Sequence, residues 1–233
     1  MREVSLSRTT LEPLRATPKS PDKNGALSAS RPLSRVNGER PPARPWHRPT
    51  WAVLLERFYA RMRLPLPQIE QLNGDALPEP YRNLLVHSAD MTPTLEDFYQ
   101  RRLALTVLSR EVMSEEYLRE VVLKLADDGQ AVEYGVIRIC LGHLPGPARQ
   151  RVLQEQRPMG NILQSEGIPH ISWPQAFFRV LSDSHTSAVL RLPEPCELYG
   201  RRNVLLDGSR RLLAEVIEIL APVEADQPRR YPS

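Results

Sequence analysis

The alternation of apolar and polar residues is most regular near the C-terminus, where two apolar runs flank Asp207-Gly208. An Asp-Gly pair between two apolar runs predicts a β-hairpin, because both residues tolerate the backbone angles of a tight turn. The second run is interrupted by Glu215 and, three positions later, by Glu218. Since successive side chains of a strand point to opposite faces, each face of the sheet receives one of these carboxylates.

Apolar spacing elsewhere predicts a mixture of helices and strands. Apolar residues that recur every three or four positions indicate helices, and alternation indicates strands. The predicted helices cover residues 50–63, 80–87, 94–101, 148–156, 159–163 and 173–181, and the predicted strands cover residues 103–112, 117–126, 131–140, 186–192, 197–206 and 210–220. The predicted fold class is therefore α+β, with a single antiparallel sheet of about six strands and helices packed on one side.

The first 48 residues differ in composition from the rest of the chain. Eight prolines fall within the first fifty positions, serine and arginine are frequent there, and no periodicity is sustained. Such a segment cannot bury enough apolar surface to offset the entropy lost on ordering it. We expect a disordered basic tail over residues 1–48, one domain over residues 49–222, and a loose C-terminal tail over residues 223–233.

The net charge of +3 arises from the tail. Residues 1–50 hold ten Lys or Arg and four Asp or Glu, which leaves 21 bases and 24 acids among the other 183 residues. A basic tail beside a mildly acidic domain is poor evidence for nucleic-acid binding. Cys140 and Cys196 provide no disulfide framework, and neither a membrane span nor a secretory signal is evident. We expect a cytoplasmic monomer that binds no nucleic acid and has no membrane span.

One arginine stands out in the strand predicted at residues 117–126. Arg119 shares a face with Val121, Leu123 and Leu125, which is the more continuously apolar face of that strand. Because a guanidinium does not lose its proton, an arginine directed at a core requires an anion. That anion is either a structural Asp or Glu, or a bound carboxylate or phosphate, which the planar guanidinium suits.

Other kinds of chemistry have little support in the sequence. The glycines do not form a phosphate-binding loop, and the histidines and cysteines lack the spacing of metal ligands. No serine lies in a nucleophile-elbow pattern. We therefore predict neither a metal site nor a bound cofactor.

Four short motifs, in order between residues 84 and 222, resemble those of the chorismate pyruvate-lyases, also called 4-hydroxybenzoate synthases. The resemblance implies the chorismate lyase-like fold and a cofactor-free lyase that converts chorismate into 4-hydroxybenzoate and pyruvate. The motifs are Leu84-Leu85 with Asp90-Met91-Thr92, Tyr117-Leu118-Arg119-Glu120, Pro158-Met159-Gly160, and Gly200-Arg201-Arg202 with Asp207-Gly208 and Leu212-Leu213-Ala214-Glu215.

The resemblance also implies roles for individual residues. Arg119 binds the ring carboxylate, and the backbone around Met91 and Met159 completes that anion site and closes the pocket. Glu215 meets the ring hydroxyl. Met159 stands where the family usually has leucine, a swap that preserves volume.

Two assignments stay open at the level of the sequence. Counting from the hairpin turn selects Glu215 as the acid of the site, and we prefer it because the turn fixes the register. Counting back from Pro222 selects Glu218 instead. Arg201 or Arg202 meets the side-chain carboxylate of chorismate, or both are solvated arginines of an edge strand.

The chemistry of chorismate is consistent with such a site. Loss of pyruvate makes the ring aromatic, so an enzyme needs chiefly to position the dianion between an arginine and a carboxyl group. An apolar pocket would raise the pKa of that carboxyl group, here Glu215, for moving a proton or assisting departure of the ether oxygen. Two alternatives are a non-catalytic module of the same fold that binds an aromatic acid, and a related enzyme that gives 3-hydroxybenzoate.

Overall fold

A computed structural model describes residues 49–223 and confirms the α+β class with one antiparallel sheet. Apart from Val223, the two predicted tails lie outside the described residues. Within that range no helix is both long and apolar enough to cross a membrane. The helices are α1 (Val53–Met62), α2 (Tyr81–Leu85), α3 (Met91–Tyr99), α4 (Gly146–Leu153), α5 (Met159–Ser165) and α6 (Ser184–Leu190), and the strands are β1 (Ile69–Leu72), β2 (Leu103–Val112), β3 (Glu116–Leu125), β4 (Ala131–Cys140), β5 (His170–Leu181), β6 (Glu197–Asp207) and β7 (Leu212–Leu220).

The sheet has seven strands in the order β1-β5-β6-β7-β4-β3-β2, and all neighbouring pairs are antiparallel. The C-terminal hairpin forms as predicted, and it pairs Arg201 of β6 with Glu218 of β7. Because β7 also pairs with β4, the hairpin lies at the centre of the sheet. β1 lies where the sequence predicted neither a helix nor a strand, because only Ile69 of its four residues is buried and the segment shows too little alternation.

Helices cover both faces of the sheet, whereas the sequence predicted helices on one side. Leu118 and Val122 of β3 pack in a cluster with α1 and α6, and we call this side the anchor face. The alternate positions Tyr117 and Leu123 pack in clusters with α2–α5, and we call this side the cavity face. Helices are needed on both faces because β3, β4 and β7 are buried at almost every position. A strand that is apolar on both of its sides requires packing elements on both sides of the sheet.

The order of helix and strand around residue 183 is the reverse of the prediction. Residues 173–181 belong to β5, which pairs with β6 along its length, and residues 186–192 lie mostly in α6. A capping box begins α6: the backbone N–H of Thr186 donates to Asp183 Oδ1 at 2.8 Å, and the backbone N–H of Asp183 donates to Thr186 Oγ1 at 2.9 Å. This reciprocal pair favours a helix start where the apolar pattern alone indicated a strand.

Candidate functional site

A cavity lies on the cavity face of the sheet, beneath the first residues of α3 and α5. Its volume is about 60 Å³. A single water needs about 10–15 Å³ on the same measure, so the cavity has room for a small organic molecule. The residues that line it are Asp90, Met91, Thr92, Leu105, Arg119, Val121, Leu123, Glu133, Ile137, Pro158, Met159, Gly160, Asn203, Leu205, Val216 and Glu218.

Unpaired polar atoms are concentrated at this cavity. Within residues 49–223, seven buried side-chain nitrogen or oxygen atoms lack a hydrogen-bond partner, and five of them belong to residues that line the cavity. They are Nε and Nη1 of Arg119, Oε2 of Glu133, Oδ1 of Asn203 and Oδ1 of Asp90. Since a buried polar atom without a partner costs stability, this cluster indicates a place where a bound molecule supplies the missing partners.

Arg119 supplies to the cavity a buried cation that has no salt bridge with any described residue. Its side chain is 1% exposed, and its Nη2 donates to the backbone oxygen of Arg157 at 3.2 Å. Burial lowers the pKa of this guanidinium, against the raising effect of Tyr117 and Glu155. An arginine nevertheless stays charged in a protein, so Nε and Nη1 remain as two donors for an anion.

Glu218 lines the cavity from β7 and is held by Arg201. The Nε of Arg201 donates to Glu218 Oε2 at 2.5 Å, and its Nη1 and Nη2 donate to the backbone oxygens of Leu85, His87 and Ala89 at 3.1–3.2 Å. Burial raises the pKa of Glu218, and the positive charge of Arg201 opposes that effect. Arg201 thus fixes both the acid and the segment that leads into α3, and it has no nitrogen left for the predicted contact with a ligand carboxylate.

Glu133 of β4 is a second acid on the same wall. Glu133 pairs with Leu220, so it lies diagonally from Glu218 with Cα atoms about 7–8 Å apart. Gly135, which pairs with Glu218, places no side chain between the two acids. Burial and the negative charge of Glu218 raise the pKa of Glu133 well above its ordinary value, although Arg201 opposes them. Burial and the neighbouring carboxylate therefore both favour the protonated form of Glu133.

Two helices begin at the rim of the cavity. α5 begins at Met159 as predicted, whereas α3 begins at Met91, three residues before the predicted start. The first backbone N–H groups of a helix have no partner inside it and carry partial positive charge. A Cβ added to Gly160 would approach Asp90 Oδ2 to 2.8 Å, so the two helix starts are in close contact. The same Asp90 oxygen is 2.9 Å from His170 Nε2, and this hydrogen bond raises the pKa of His170.

The preferred acid, Glu215, is not among the residues that line the cavity. Glu215 is on the anchor face, where its two oxygens accept hydrogen bonds from Arg138 and Arg202, each at 2.8 Å. The neighbouring residue of the strand, Val216, lines the cavity instead. The alternative acid, Glu218, is an even number of positions from Val216 and therefore shares its face.

The structure brings most of the other predicted residues together. Arg119, Met91 and Met159 line one cavity with Glu218, whereas Arg201 lies behind Glu218. Their roles in binding or catalysis stay predictions. No three His, Cys, Asp or Glu side chains in the described part of the chain are grouped as metal ligands.

Sequence reasoning missed two polar residues of the site, Glu133 and Asn203. A signal existed for Glu133, because it interrupts an apolar strand in the same way as Arg119 does. Asn203 gave no such signal, since an asparagine near a turn is usually exposed. Its position is fixed by Ser172, whose hydroxyl accepts from Asn203 Nδ2 at 2.8 Å.

Comparison with known proteins gives similar folds at low identity. No family model and no curated protein matches the chain. The effector domain of PhnF from Mycobacterium smegmatis is 13% identical over 56% of this chain and 87% of that chain, with a TM-score of 0.43. The effector-binding domain of the Bacillus subtilis trehalose repressor is 14% identical over 55% and 99%, with a TM-score of 0.37. The possible transcriptional regulator YydK from Bacillus subtilis is 11% identical over 75% and 97%, with a TM-score of 0.43.

Proposed function

We propose that this chain binds a small organic carboxylate in the cavity, and that a ring carboxylate of benzoate size is the class that fits best. The observation that carries the proposal is the buried guanidinium of Arg119, whose Nε and Nη1 atoms have no partner. A carboxylate accepts hydrogen bonds from such a group and neutralises its charge. A binding function needs nothing more than this anion site and an apolar wall.

The lining of the cavity favours a ring over a simple inorganic anion. Val121, Ile137 and Val216 form an apolar surface between Arg119 and Glu218. The spacing of strands and residues puts the Cα atoms of Arg119 and Glu218 about 12 Å apart on the cavity face. A flat apolar ring with a carboxylate at one end and a polar substituent at the other matches this order of polar, apolar and polar groups.

The binding proposal is tested by calorimetric titration with benzoate and 4-hydroxybenzoate. We expect saturable one-site binding to the full chain, and a loss of at least about tenfold in affinity for Arg119→Leu, because the charge-assisted pair is removed. Arg102→Leu is the matched control, since Arg102 is exposed and does not line the cavity. The proposal fails if neither compound binds, or if both arginine variants bind as the unmodified chain does.

A second, catalytic function is favoured by the presence of Glu218 in the same cavity as Arg119. Glu218 is the acid that counting back from Pro222 selects in the resemblance to chorismate pyruvate-lyases. In this candidate reaction Arg119 binds the ring carboxylate of chorismate, Glu218 faces the ring hydroxyl, and pyruvate leaves as the ring becomes aromatic.

The cytoplasmic location and the monomeric state stay predictions.

Incubation of the purified protein with chorismate, followed by chromatography, separates the two candidates. Equal amounts of pyruvate and 4-hydroxybenzoate support the lyase, and 3-hydroxybenzoate supports the related enzyme. Saturable binding of chorismate with no product supports the binding module and contradicts the catalytic candidate.

A further inference from the structure

The second acid of the cavity, Glu133, has a carboxyl oxygen without a hydrogen-bond partner in the described part of the chain. Glu133 is 4% exposed and lines the cavity, and its Oε2 atom has no hydrogen-bond partner among residues 49–223. The adjacent acid differs, because Glu218 has its own ion pair with Arg201. The wall opposite Arg119 therefore presents two carboxyl groups. Glu218 has an ion pair, whereas Oε2 of Glu133 has no hydrogen-bond partner among the described residues.

The residues around Glu133 are mostly apolar. A Cβ added to Gly135 would lie 3.3 Å from Glu133 Oε1 and 3.3 Å from Val121 Cγ2, so the carboxyl group packs close to the strand where residue 135 has no side chain. The position opposite Glu133 on β7 is the apolar Leu220, and the position opposite on β3 is Leu123. Neither of these two directly paired side chains can form a hydrogen bond with Glu133.

We propose that Glu133 is a specificity-determining residue, and that it selects a ring carboxylate with two neighbouring oxygen substituents at the end opposite the carboxylate. In this arrangement Glu218 faces the first oxygen and the carboxylic acid of Glu133 exchanges hydrogen bonds with the second. The inference rests on the proposed binding function and adds the substitution pattern of the ligand.

The chemistry of the site favours a hydroxyl over other partners for Glu133. A carboxylic acid offers one O–H donor and one carbonyl acceptor, and a hydroxyl accepts from the first and donates to the second. A second carboxylate on the ligand would lie next to the charge of Glu218, which is unfavourable in a buried site. A methyl group would leave Oε2 of Glu133 buried and unpaired, which costs free energy that a hydrogen bond avoids.

Three probes of matched shape test the inference by calorimetry: 4-hydroxybenzoate, 3,4-dihydroxybenzoate and 4-hydroxy-3-methylbenzoate. For the unmodified chain we expect 3,4-dihydroxybenzoate to bind about tenfold tighter than its methyl analogue, as one buried hydrogen-bonding group allows. Glu133→Leu removes both the donor and the acceptor at similar size, so the preference should vanish or reverse. Glu133→Gln retains a donor and an acceptor and should keep most of the preference.

Each outcome is decisive. A preference that depends on residue 133 supports the inference. Binding of 4-hydroxybenzoate with no preference between the dihydroxy and methyl probes overturns the inference and leaves the binding function intact, and so does an equal loss for all probes in Glu133→Leu. If Glu133→Leu does not fold, the preference of the unmodified chain and of Glu133→Gln decides. Failure of all three probes to bind overturns both the inference and the proposed function.

Discussion

Glu215 and Glu218 are chemically identical side chains on one strand, yet their surroundings differ. Glu215 lies between two arginines on the anchor face, and Glu218 lines the cavity with a single arginine behind it. The first carboxylate has both oxygens engaged by protein donors. The second has one oxygen, Oε2, bonded to Arg201. The pair therefore provides a matched comparison between a structural and a site carboxylate.

Substitution of the two glutamates separates these roles. Glu218→Gln should weaken 4-hydroxybenzoate binding by about tenfold and abolish any release of pyruvate from chorismate, because the charge and its ion pair are lost at the cavity. Glu215→Gln should lower the melting temperature and leave the affinity within about twofold, as sites without shared partners act independently. Calorimetry and a pyruvate assay check both variants. The opposite pattern would return the site acid to Glu215.

A pH dependence of stability is expected at Glu133. The pKa of Glu133 in the folded protein lies above the ordinary value of 4.5. At pH values between 4.5 and the pKa of the folded protein, Glu133 therefore keeps a proton in the folded chain that it releases in the unfolded chain. The stabilisation that Glu133 contributes is present below about pH 4.5 and is lost as the pH rises through the folded pKa. Because residue 133 does not titrate in Glu133→Gln, the melting temperature of this variant relative to that of the unmodified chain should rise between about pH 5 and about pH 8. A constant difference across that range would show that Glu133 is ionised when folded.

The local sequence identified several side chains of the site and the face of the strand on which each lies, but not which of them share the cavity. Strand parity correctly put Glu215 and Glu218 on opposite faces, and the apolar neighbours of Arg119 correctly put it on a buried face. Which glutamate shares the cavity with Arg119 depends on the register between β3, β4 and β7, which are distant in sequence. That register is set by packing over the whole sheet and not by any local run of residues.

At the scale of the elements, the contact between α3 and α5 determines whether the cavity closes. Gly160 is in α5 and Asp90 immediately precedes α3, and their approach leaves no room for a Cβ. Sequence patterns located α5 but placed the start of α3 three residues late, because Thr94 resembled a capping residue. The hydroxyl of Thr94 instead donates to the backbone oxygen of Asp90 at 2.9 Å within the first turn.

A glycine-to-alanine pair tests this contact. Gly160→Ala should push the two helix starts apart, lower stability by about 1–3 kcal/mol and weaken 4-hydroxybenzoate binding, because its Cβ would meet Asp90. Gly146→Ala at the start of α4 is the matched control, since a Cβ there meets nothing within 4 Å. We expect this control to be neutral or slightly stabilising. Thermal unfolding and titration measure both; equal behaviour of the two variants would contradict a tight α3–α5 contact.

At the scale of the whole molecule, the sheet separates the cavity face from the anchor face. On the anchor face, Glu120 accepts hydrogen bonds from Tyr134 at 2.8 Å, Ser109 at 2.8 Å and His185 at 2.6 Å. Burial alone would raise the pKa of Glu120, but these hydrogen bonds outweigh it and the pKa lies below its ordinary value. The network joins α6 to β2, β3 and β4, and each of these three strands also contributes residues to the lining of the cavity.

Breaking this network should affect stability and spare binding. Glu120→Gln leaves His185 without its anion in a buried setting, and we expect a loss of about 3–5 kcal/mol in the free energy of unfolding. The affinity for 4-hydroxybenzoate at a temperature where the variant is folded should stay unchanged, because Glu120 points away from the cavity. Urea denaturation and calorimetry provide the two readouts. A large loss of affinity in the folded variant would show that the two faces are coupled.

The buried guanidinium of Arg119 also affects the stability of the protein without a ligand. A cation removed from water without a salt bridge makes the folded protein less stable than an apolar replacement of similar size would make it. Arg119→Leu should therefore melt at a higher temperature than the unmodified chain in buffer alone. Its melting temperature should not rise when a ring carboxylate is added. The melting temperature of the unmodified chain should rise as a larger fraction of the protein binds a ligand. Melting curves recorded with candidate metabolites therefore identify the compound that the protein binds.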